Sequence, residues 1–125
     1  LQGLEMITDE ESGRMVPVFY SMGNFISNQR LETLDNRYTE QGIIAEVELK
    51  YLKSAKKVLS FQMSVIPTWV DKYRKNGKDV YTIIPLDETL SQNPSLAESR
   101  HLSRAEQALS DIKELLGEEY IKTTE

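Results

Sequence analysis

Two consecutive segments in which apolar and polar residues alternate constrain the fold of this chain more than any other feature. Every second residue is apolar in residues 45–51 and 59–65, and the residues between are Glu, Lys, Ser or Gln. Strands with this pattern bury one face and leave the other in water. A one-residue shift would move each large apolar side chain into water at a cost of roughly 1.5–3 kcal/mol. The pattern therefore predicts a β-hairpin of fixed register, with the lysine-rich residues 52–57 as its exposed turn.

Further strand and turn signals predict an antiparallel meander of about six strands. Besides the two alternating segments, strands are predicted at 4–7, 15–20, 68–73 and 79–85. Pro17 and Pro67 lack the N–H that an inner strand needs. We therefore expect Pro17 at a strand start or edge, and Pro67 between two separate strands. Asn76-Gly77, the strongest short hairpin signal, is predicted to join the last two strands.

A helical repeat occupies the end of the chain. Asn93-Pro94-Ser95 is a helix start signal, because proline suits the first helical position and Ser95 with Glu98 fits a capping box. Apolar residues then recur at three- and four-residue spacing at Leu102, Ala105, Leu109, Ile112 and Leu116. Gly117 is suited to end the helix. The pattern predicts one long amphipathic helix whose stripe packs on the sheet, with dimerisation through the stripe as the alternative.

The predicted fold class is therefore α+β, with antiparallel hairpins and one long C-terminal helix packed on the sheet. The predicted divisions are a β-rich portion at 1–92, the helix at 93–117 and a tail at 118–125. With 125 residues, the chain is long enough for one domain with a sizeable core.

Composition argues against several classes of function. The net charge is −5, from 20 acidic and 15 basic residues, which argues against nucleic acid or an anionic membrane surface as a partner. The absence of cysteine excludes disulfides, thiolate metal sites and cysteine nucleophiles. No apolar run approaches the length of a membrane-spanning helix. The single histidine, His101, lies beside the helix stripe and is interpreted as a surface or boundary residue rather than a metal ligand.

Residues 16–29 change from an apolar strand into a polar loop at Gly23-Asn24. Glycine adopts a positive φ at little cost and asparagine tolerates it, so we expect the backbone to bend sharply there. Ser21, Asn24, Asn28 and Gln29 would then lie where a strand gives way to a loop, which is a common location for binding groups.

The same segment resembles a motif of the CapA family. Residues 17–25 read Pro-Val-Phe-Tyr-Ser-Met-Gly-Asn-Phe, and the family carries Pro-(apolar)-Phe-Tyr-Ser-(Leu/Met)-Gly-Asn-Phe. The close match covers roughly residues 1–30, and the strands up to about residue 86 agree in pattern only. CapA proteins act in bacterial capsule and poly-γ-glutamate biosynthesis and are related to the calcineurin-like metallophosphoesterases. The resemblance implies an extracytoplasmic, membrane-associated parent protein with a larger α/β sandwich fold.

The chain departs from this family in its metal ligands. Family members carry Asp, Asn and His ligands upstream of the motif, whereas neither an Asp-x-His nor a Gly-Asn-His sequence occurs here. We therefore expect a C-terminal portion of a CapA-like protein that is not catalytic by itself. The resemblance implies that a complete parent would be a metal-dependent phosphoesterase, with manganese or zinc held outside this chain.

Five residues are candidates to line or support the active-site cleft of such a parent. They are Ser21, Gly23, Asn24, Asn28 and Arg30. The alternative for Ser21, Gly23 and Asn24 is a turn needed only for backbone geometry. The polar connection 26–41 is either a flap in which Arg30 or Arg37 meets an anionic substrate, or a mobile insertion with one helical turn at 31–34.

An independent binding or assembly module is the alternative to a domain fragment. Its hairpins and helix stripe would contact other subunits of a capsule-synthesis complex. An unpaired sheet edge invites pairing with a second chain, so a homodimer through that edge or through the helix stripe is a further expectation. As a fragment, its main partner would be the remainder of the CapA-like domain, and nucleic acid is not expected as a partner.

Overall fold

Five strands and a helical C-terminal region build the fold. The structure, a computed structural model, describes residues 1–122. Its strands are β1 (Leu4–Thr8), β2 (Met15–Phe19), β3 (Gln41–Leu52), β4 (Lys57–Lys75) and β5 (Lys78–Pro85). Its α-helices are α1 (Leu31–Leu34), α2 (Pro94–Ser99) and α3 (Leu102–Leu116). Short 3-10 turns span Arg37–Glu40, Leu90–Gln92 and Glu118–Tyr120.

The first two predicted strands form an N-terminal hairpin. β1 and β2 pair antiparallel, with Thr8 opposite Met15 next to the turn. Asp9 N donates to Arg14 O at 2.8 Å, so the even-numbered residues of β2 bond to β1. The backbone nitrogen of Pro17 therefore points away from β1, so no N–H is needed there, and Pro17 lies on an outer edge, as predicted.

The second sheet has the strand order β3–β4–β5, and β4 is longer than predicted. Residues 57–75 form one strand, so Pro67 does not separate two strands. The pairing with β5 begins at Thr68, which lies opposite Pro85. Position 67 is thus just beyond that ladder, where no N–H is needed. Pro67 O still accepts a hydrogen bond from Leu86 N at 2.8 Å.

The prediction of a single helix at 93–117 is wrong, because the chain turns between α2 and α3. Arg100 has a left-handed φ of 62°, and its N–H donates to Leu96 O at 2.9 Å to close α2. The next residue, His101, places its ring Nδ1 2.7 Å from Oδ1 of Asp71 on β4. The turn thus brings His101 onto the sheet, a tertiary contact that helical periodicity does not record.

The apolar stripe of α3 packs on the sheet, as predicted. The stripe residues Ala105, Ile112 and Leu116 are buried, and Leu102 and Leu109 are half-buried against the same core. The sheet contributes Ile43, Val65, Trp69 and Ile84 to this core. The helix ends before Gly117, also as predicted. None of the helices within residues 1–122 is long and apolar enough to cross a membrane.

The predicted fold class, a meander of about six strands with one long C-terminal helix, is therefore wrong. Residues 1–122 contain five strands, in a two-stranded and a three-stranded sheet, and their C-terminal helical region is divided. Within the predicted tail, Ile121 forms a parallel bridge with Val65 of β4. The remainder of that tail, 123–125, lies outside the described residues.

The half of the β3–β4 hairpin nearest its turn extends beyond the helical layer. We call residues 46–63 the ribbon. On its apolar face Val47 and Leu49 are 46% and 60% exposed, and Leu59 is 57% exposed. The predicted burial of this face is therefore correct only near Ile43 and Val65, which lie in the core. α3 covers that end of the sheet, and β5 ends before it reaches the ribbon.

Candidate functional site

The predicted bend at Gly23-Asn24 lies where the N-terminal hairpin meets the second sheet. Gly23 has a φ of 77°, which glycine adopts at little cost. It forms a bridge with Gly42 at the start of β3, and Asn24 N donates to Gln41 O at 2.9 Å. A Cβ on Gly42 would overlap Asn24 O, and a Cβ on Gly23 would overlap Gln41 O. The two glycines therefore permit an approach of the backbones that no side chain would allow.

Asn24 is buried and its side chain holds the following loop together. Its Nδ2 donates to the backbone oxygens of Ser27, Gln29 and Thr39 at 3.2, 3.1 and 2.9 Å. Its Oδ1 accepts from Ser27 N at 2.8 Å. Both the amino group and the oxygen of this side-chain amide therefore form hydrogen bonds within the protein. This geometry favours the alternative in which Asn24 maintains backbone structure.

Asn24→Ala is expected to lower the free energy of unfolding by about 2–3 kcal/mol, because three carbonyls and one N–H lose their partner. Asn24→Asp is expected to be at least as destabilising near neutral pH, since a carboxylate would then face three carbonyl oxygens. Denaturant unfolding of each variant measures the effect. The matched control is Asn28→Ala, with an expected change within about 0.5 kcal/mol, and equal effects of the alanine substitutions at 24 and 28 would contradict this role.

Only some of the predicted site residues share a cleft. Ser21, Gly23 and Asn24 line a cleft of about 470 Å³ at the surface, together with Tyr38 and Asn36. Ser21 Oγ accepts from Gly23 N at 3.2 Å, which supports the bend. Asn28 is not in the lining of this cleft, and its Oδ1 accepts from the Tyr81 hydroxyl at 3.1 Å.

Arg30 is also outside the cleft and is buried. Its Nε lies 3.0 Å from Glu32 and its Nη2 lies 3.5 Å from Glu40. The remaining nitrogen, Nη1, has no hydrogen-bond partner among the described residues. Arg37, the other candidate in the connection 26–41, binds Asp111. Both guanidinium groups are therefore engaged within the protein, and α1 is the single helical turn that was predicted in this connection.

A buried carboxylate, Glu40, organises the residues around it, and sequence reasoning missed it. Glu40 is 2% exposed. Its oxygens accept from Trp69 Nε1 at 3.0 Å, from Leu31 N at 3.0 Å and from Arg104 Nη2 at 2.8 and 3.0 Å. The group joins the connection after α1, the central strand β4 and helix α3. Its charge is paired and hydrogen-bonded, as a buried charge must be to be tolerated.

Asp111 on α3 is a second buried carboxylate that sequence reasoning missed. Arg37 donates to it from Nε at 2.9 Å and from Nη2 at 3.1 Å. Gln41 and Gln107 donate at 2.8 and 3.0 Å. The Arg37 guanidinium holds the pKa of Asp111 below its ordinary value; burial acts in the opposite direction, and the two glutamines add to the lowering. Asp111 and Glu40 border one cavity of about 200 Å³ with Trp69.

The lowered pKa of Asp111 predicts a contribution to acid stability. Because the folded-state pKa lies below the unfolded one, the ionised carboxylate stabilises the fold above the unfolded pKa, and this stabilisation is lost as pH falls through the folded pKa. Asp111→Asn is expected to cost about 1–2 kcal/mol near neutral pH and to flatten the stability profile below about pH 5. Denaturant unfolding across pH measures both. Exposed Asp79→Asn, the control, should change neutral stability by less than about 0.5 kcal/mol.

His101 and Asp71 form a further polar contact against the core. Asp71 is fully buried, and its Oδ2 has no partner among residues 1–122. His101 is half-buried, as predicted for a boundary residue, and its ring meets the Trp69 ring edge to face at 6.3 Å. Within the described residues, no group of three or more His, Asp or Glu side chains is placed to hold a metal ion.

No protein-family model, curated protein or solved structure matches this chain. The likeness to the CapA family therefore depends on the motif at residues 17–25 and on the strand pattern after it. The geometry of the motif residues, described above, is a property of this chain and does not depend on that likeness.

Proposed function

We propose that this chain is the C-terminal, non-catalytic portion of a CapA-like protein that acts in capsule or poly-γ-glutamate production. Its role there is structural. The ribbon supplies a surface on which the rest of the domain packs, and Gly23-Asn24 fixes one wall of a cleft. The observation that carries the proposal is the uncovered apolar face of the ribbon.

That face forms a groove with the first residues of β2. The groove has a volume of about 600 Å³. Its apolar lining consists of Met15, Val16, Pro17, Val47, Leu49, Val58, Leu59 and Phe61. A two-stranded hairpin without a covered face is marginally stable in water, and a contiguous exposed apolar patch marks an interaction surface. The alternating pattern predicts that one face of the ribbon is buried, but the helices of this chain leave that face about half exposed. A packing partner for the ribbon would account for this difference.

The polar side chains of the motif fit a supporting role. Asn24 turns inward and Ser21 bonds the adjacent backbone, so the motif shapes the wall of the 470 Å³ cleft without presenting an ionised group. We place the manganese or zinc of the proposed parent on residues outside this chain. By the same resemblance, the parent is extracytoplasmic and associated with the cell envelope.

A pair of stability measurements tests the proposal. Leu49→Gln is introduced both into this chain and into the longest gene product that contains it. In the longer protein we expect a loss of about 1.5–3 kcal/mol in the free energy of unfolding, because the side chain is buried there. In this chain alone the expected change is within about 0.5 kcal/mol, because Leu49 is already exposed.

The control for this measurement is Glu48→Gln, which lies on the polar face of the same strand. It should change neither protein by more than about 0.5 kcal/mol. A small effect of Leu49→Gln in both proteins would contradict the proposal. Tight binding of Mn²⁺ by this 125-residue chain alone, measured by calorimetry, would also contradict it.

An assembly module is the second candidate function, and the largely apolar lining of the same groove favours it. In that case the occupant is a separate subunit of a capsule-synthesis complex. Leu49→Gln would then have little effect on the stability of the longest gene product, and would instead weaken its binding to that subunit.

A further inference from the structure

The outer edge of β3 carries unpaired backbone groups along the ribbon. Ile43 N donates to Met22 O at 2.9 Å, which shows that the odd-numbered residues of β3 point away from β4. Beyond Ile43 no bond to another segment continues this pairing among the described residues. Ala45, Val47 and Leu49 therefore present N–H and C=O groups on a free edge. Such an edge is a template for an additional strand.

Neighbouring edges are less suited to this pairing. The outer edge of β2 contains Pro17, which has no N–H to donate. The outer edge of β4 is met at Val65 by the C-terminal segment, where Lys122 N donates to Val65 O at 2.9 Å. The ribbon part of β3 carries no proline and alternates apolar with charged residues over residues 45–50.

We propose that this edge pairs with the same edge of a second copy of the chain. The two β3 strands run antiparallel about a two-fold axis at Glu48. Val47 then lies opposite Leu49 of the second copy, and Glu46 lies opposite Lys50 of the second copy. The result is a continuous sheet of six strands, three from each copy. The pairing uses the edge of β3, whereas the proposed function concerns the apolar face, so the two can fail separately.

Charge complementarity favours a second copy of the chain as the strand that pairs with this edge, and it also favours one register of that pairing. A two-fold axis at Glu48 creates two Glu46–Lys50 pairs across the interface. It also creates one contact between like charges, between the two copies of Glu48. A register centred on Val47 would instead place Glu46 opposite Glu48 twice. Opposite charges directly across two strands stabilise a pair, and like charges destabilise it. Lys122 Nζ, which lies 2.8 Å from Glu46, adds a further positive charge near that carboxylate.

The apolar residues gain from the same register. Val47 and Leu49 are about half exposed in the single chain. In the paired sheet each has a cross-strand apolar neighbour on the same face. Side-chain pairs directly across two strands are the unit that stabilises antiparallel sheets.

Cysteine cross-linking tests the register, because the chain has no cysteine of its own. In the proposed pairing the two Glu48 residues are a non-hydrogen-bonded pair with Cα atoms about 4.5 Å apart, within the disulfide range. Glu48→Cys should therefore form a disulfide dimer on mild oxidation. In Lys50→Cys, the matched control, the two cysteines would be offset by four residues, roughly 13 Å, and should remain free. Equal cross-linking of both variants, or none at Glu48→Cys, would overturn the proposal.

Exchanging the two charges tests independently whether the pairing strand comes from a second copy of the chain. Dimerisation is measured by sedimentation over a range of protein concentrations. Glu46→Lys and Lys50→Glu should each weaken dimerisation about tenfold, because each turns two attractions into repulsions. The double variant should recover the original affinity to within about threefold. Circular dichroism of each variant verifies that it is folded. A protein that stays monomeric at all concentrations, or a double variant weaker than either single one, would refute self-pairing and leave the edge to a different partner.

Discussion

Gly42→Ala is expected to destabilise the protein by about 3 kcal/mol or more. A Cβ at this position would overlap the backbone oxygen of Asn24 and would lie 3.1 Å from Thr68 Oγ1. The first of these is a backbone atom that is fixed by its neighbours, so a side-chain rotation cannot relieve the clash. The two segments would have to separate, and the bond from Asn24 N to Gln41 O would be lost with them. Thermal and denaturant unfolding measure the loss.

Gly3→Ala is the matched control for this prediction. No atom lies within 4 Å of a Cβ on Gly3, so its stability should change by less than about 0.5 kcal/mol. Gly23→Ala should resemble the Gly42 variant, because it combines a positive φ with an overlap at Gln41 O. If Gly42→Ala were as stable as the Gly3 variant, the close crossing of the two segments would be incorrect.

Glu40→Ala is expected to cost about 3–5 kcal/mol in the free energy of unfolding. The substitution leaves the buried Trp69 indole N–H without its acceptor. It also removes one of the two carboxylates that pair with the buried Arg30 and with Arg104, which is 30% exposed. An unpaired buried charge is far more costly than the pair was favourable. Glu40→Gln keeps the volume and part of the hydrogen bonding, so its cost should lie below that of Glu40→Ala.

The control for this prediction is Glu32→Ala, because the exposed Glu32 contacts the same two arginines as the buried Glu40. Glu32 lies 2.9 Å from Arg104 and 3.0 Å from Arg30. Exposed ion pairs contribute about 0–1 kcal/mol, so the expected loss is in that range. Equal losses for the alanine variants at 32 and 40 would contradict the claim that burial of the carboxylate determines how much its ion pairs contribute to the free energy of unfolding.

Local pattern predicted the parts of the fold that local chemistry determines. The alternation in residues 45–51 and 59–65 gave the hairpin and its pairing, because period-two patterning specifies which residues share a face. The bend at Gly23 was predictable because few other residues adopt a positive φ at low cost. The end of α3 before Gly117 follows from the same property.

The incorrect predictions concern positions whose structure depends on residues that are distant in the sequence. Pro67 remains within β4 because the β5 ladder ends at Thr68, and nothing near Pro67 in the sequence records that end. The break between α2 and α3 coincides with the contact of His101 to Asp71, thirty residues away. The exposure of Leu49 depends on how far α3 extends over the sheet, which periodicity does not specify.

The candidate site was predictable only in its backbone. The sequence indicated a turn at Ser21–Asn24 but gave no indication that Asn24 would bond Thr39 O across fifteen residues. Glu40 lies in a polar stretch without any periodic signal, so its burial depends wholly on Trp69 and Arg104. For Asp111 a signal existed: it directly precedes the stripe residue Ile112 and therefore borders the buried face of α3.

Hydrogen–deuterium exchange of the ribbon amides tests most directly the claim that a further part of the protein covers its apolar face. The exchange of residues 46–63 is compared between this chain and the longest gene product that contains it, at a concentration where both are monomeric. We expect these amides to exchange on the order of a hundredfold more slowly in the longer protein, because the ribbon is then part of a covered sheet. Equal exchange in both proteins would show that no further part of the protein covers this face, and would leave the ribbon as a surface for a separate partner.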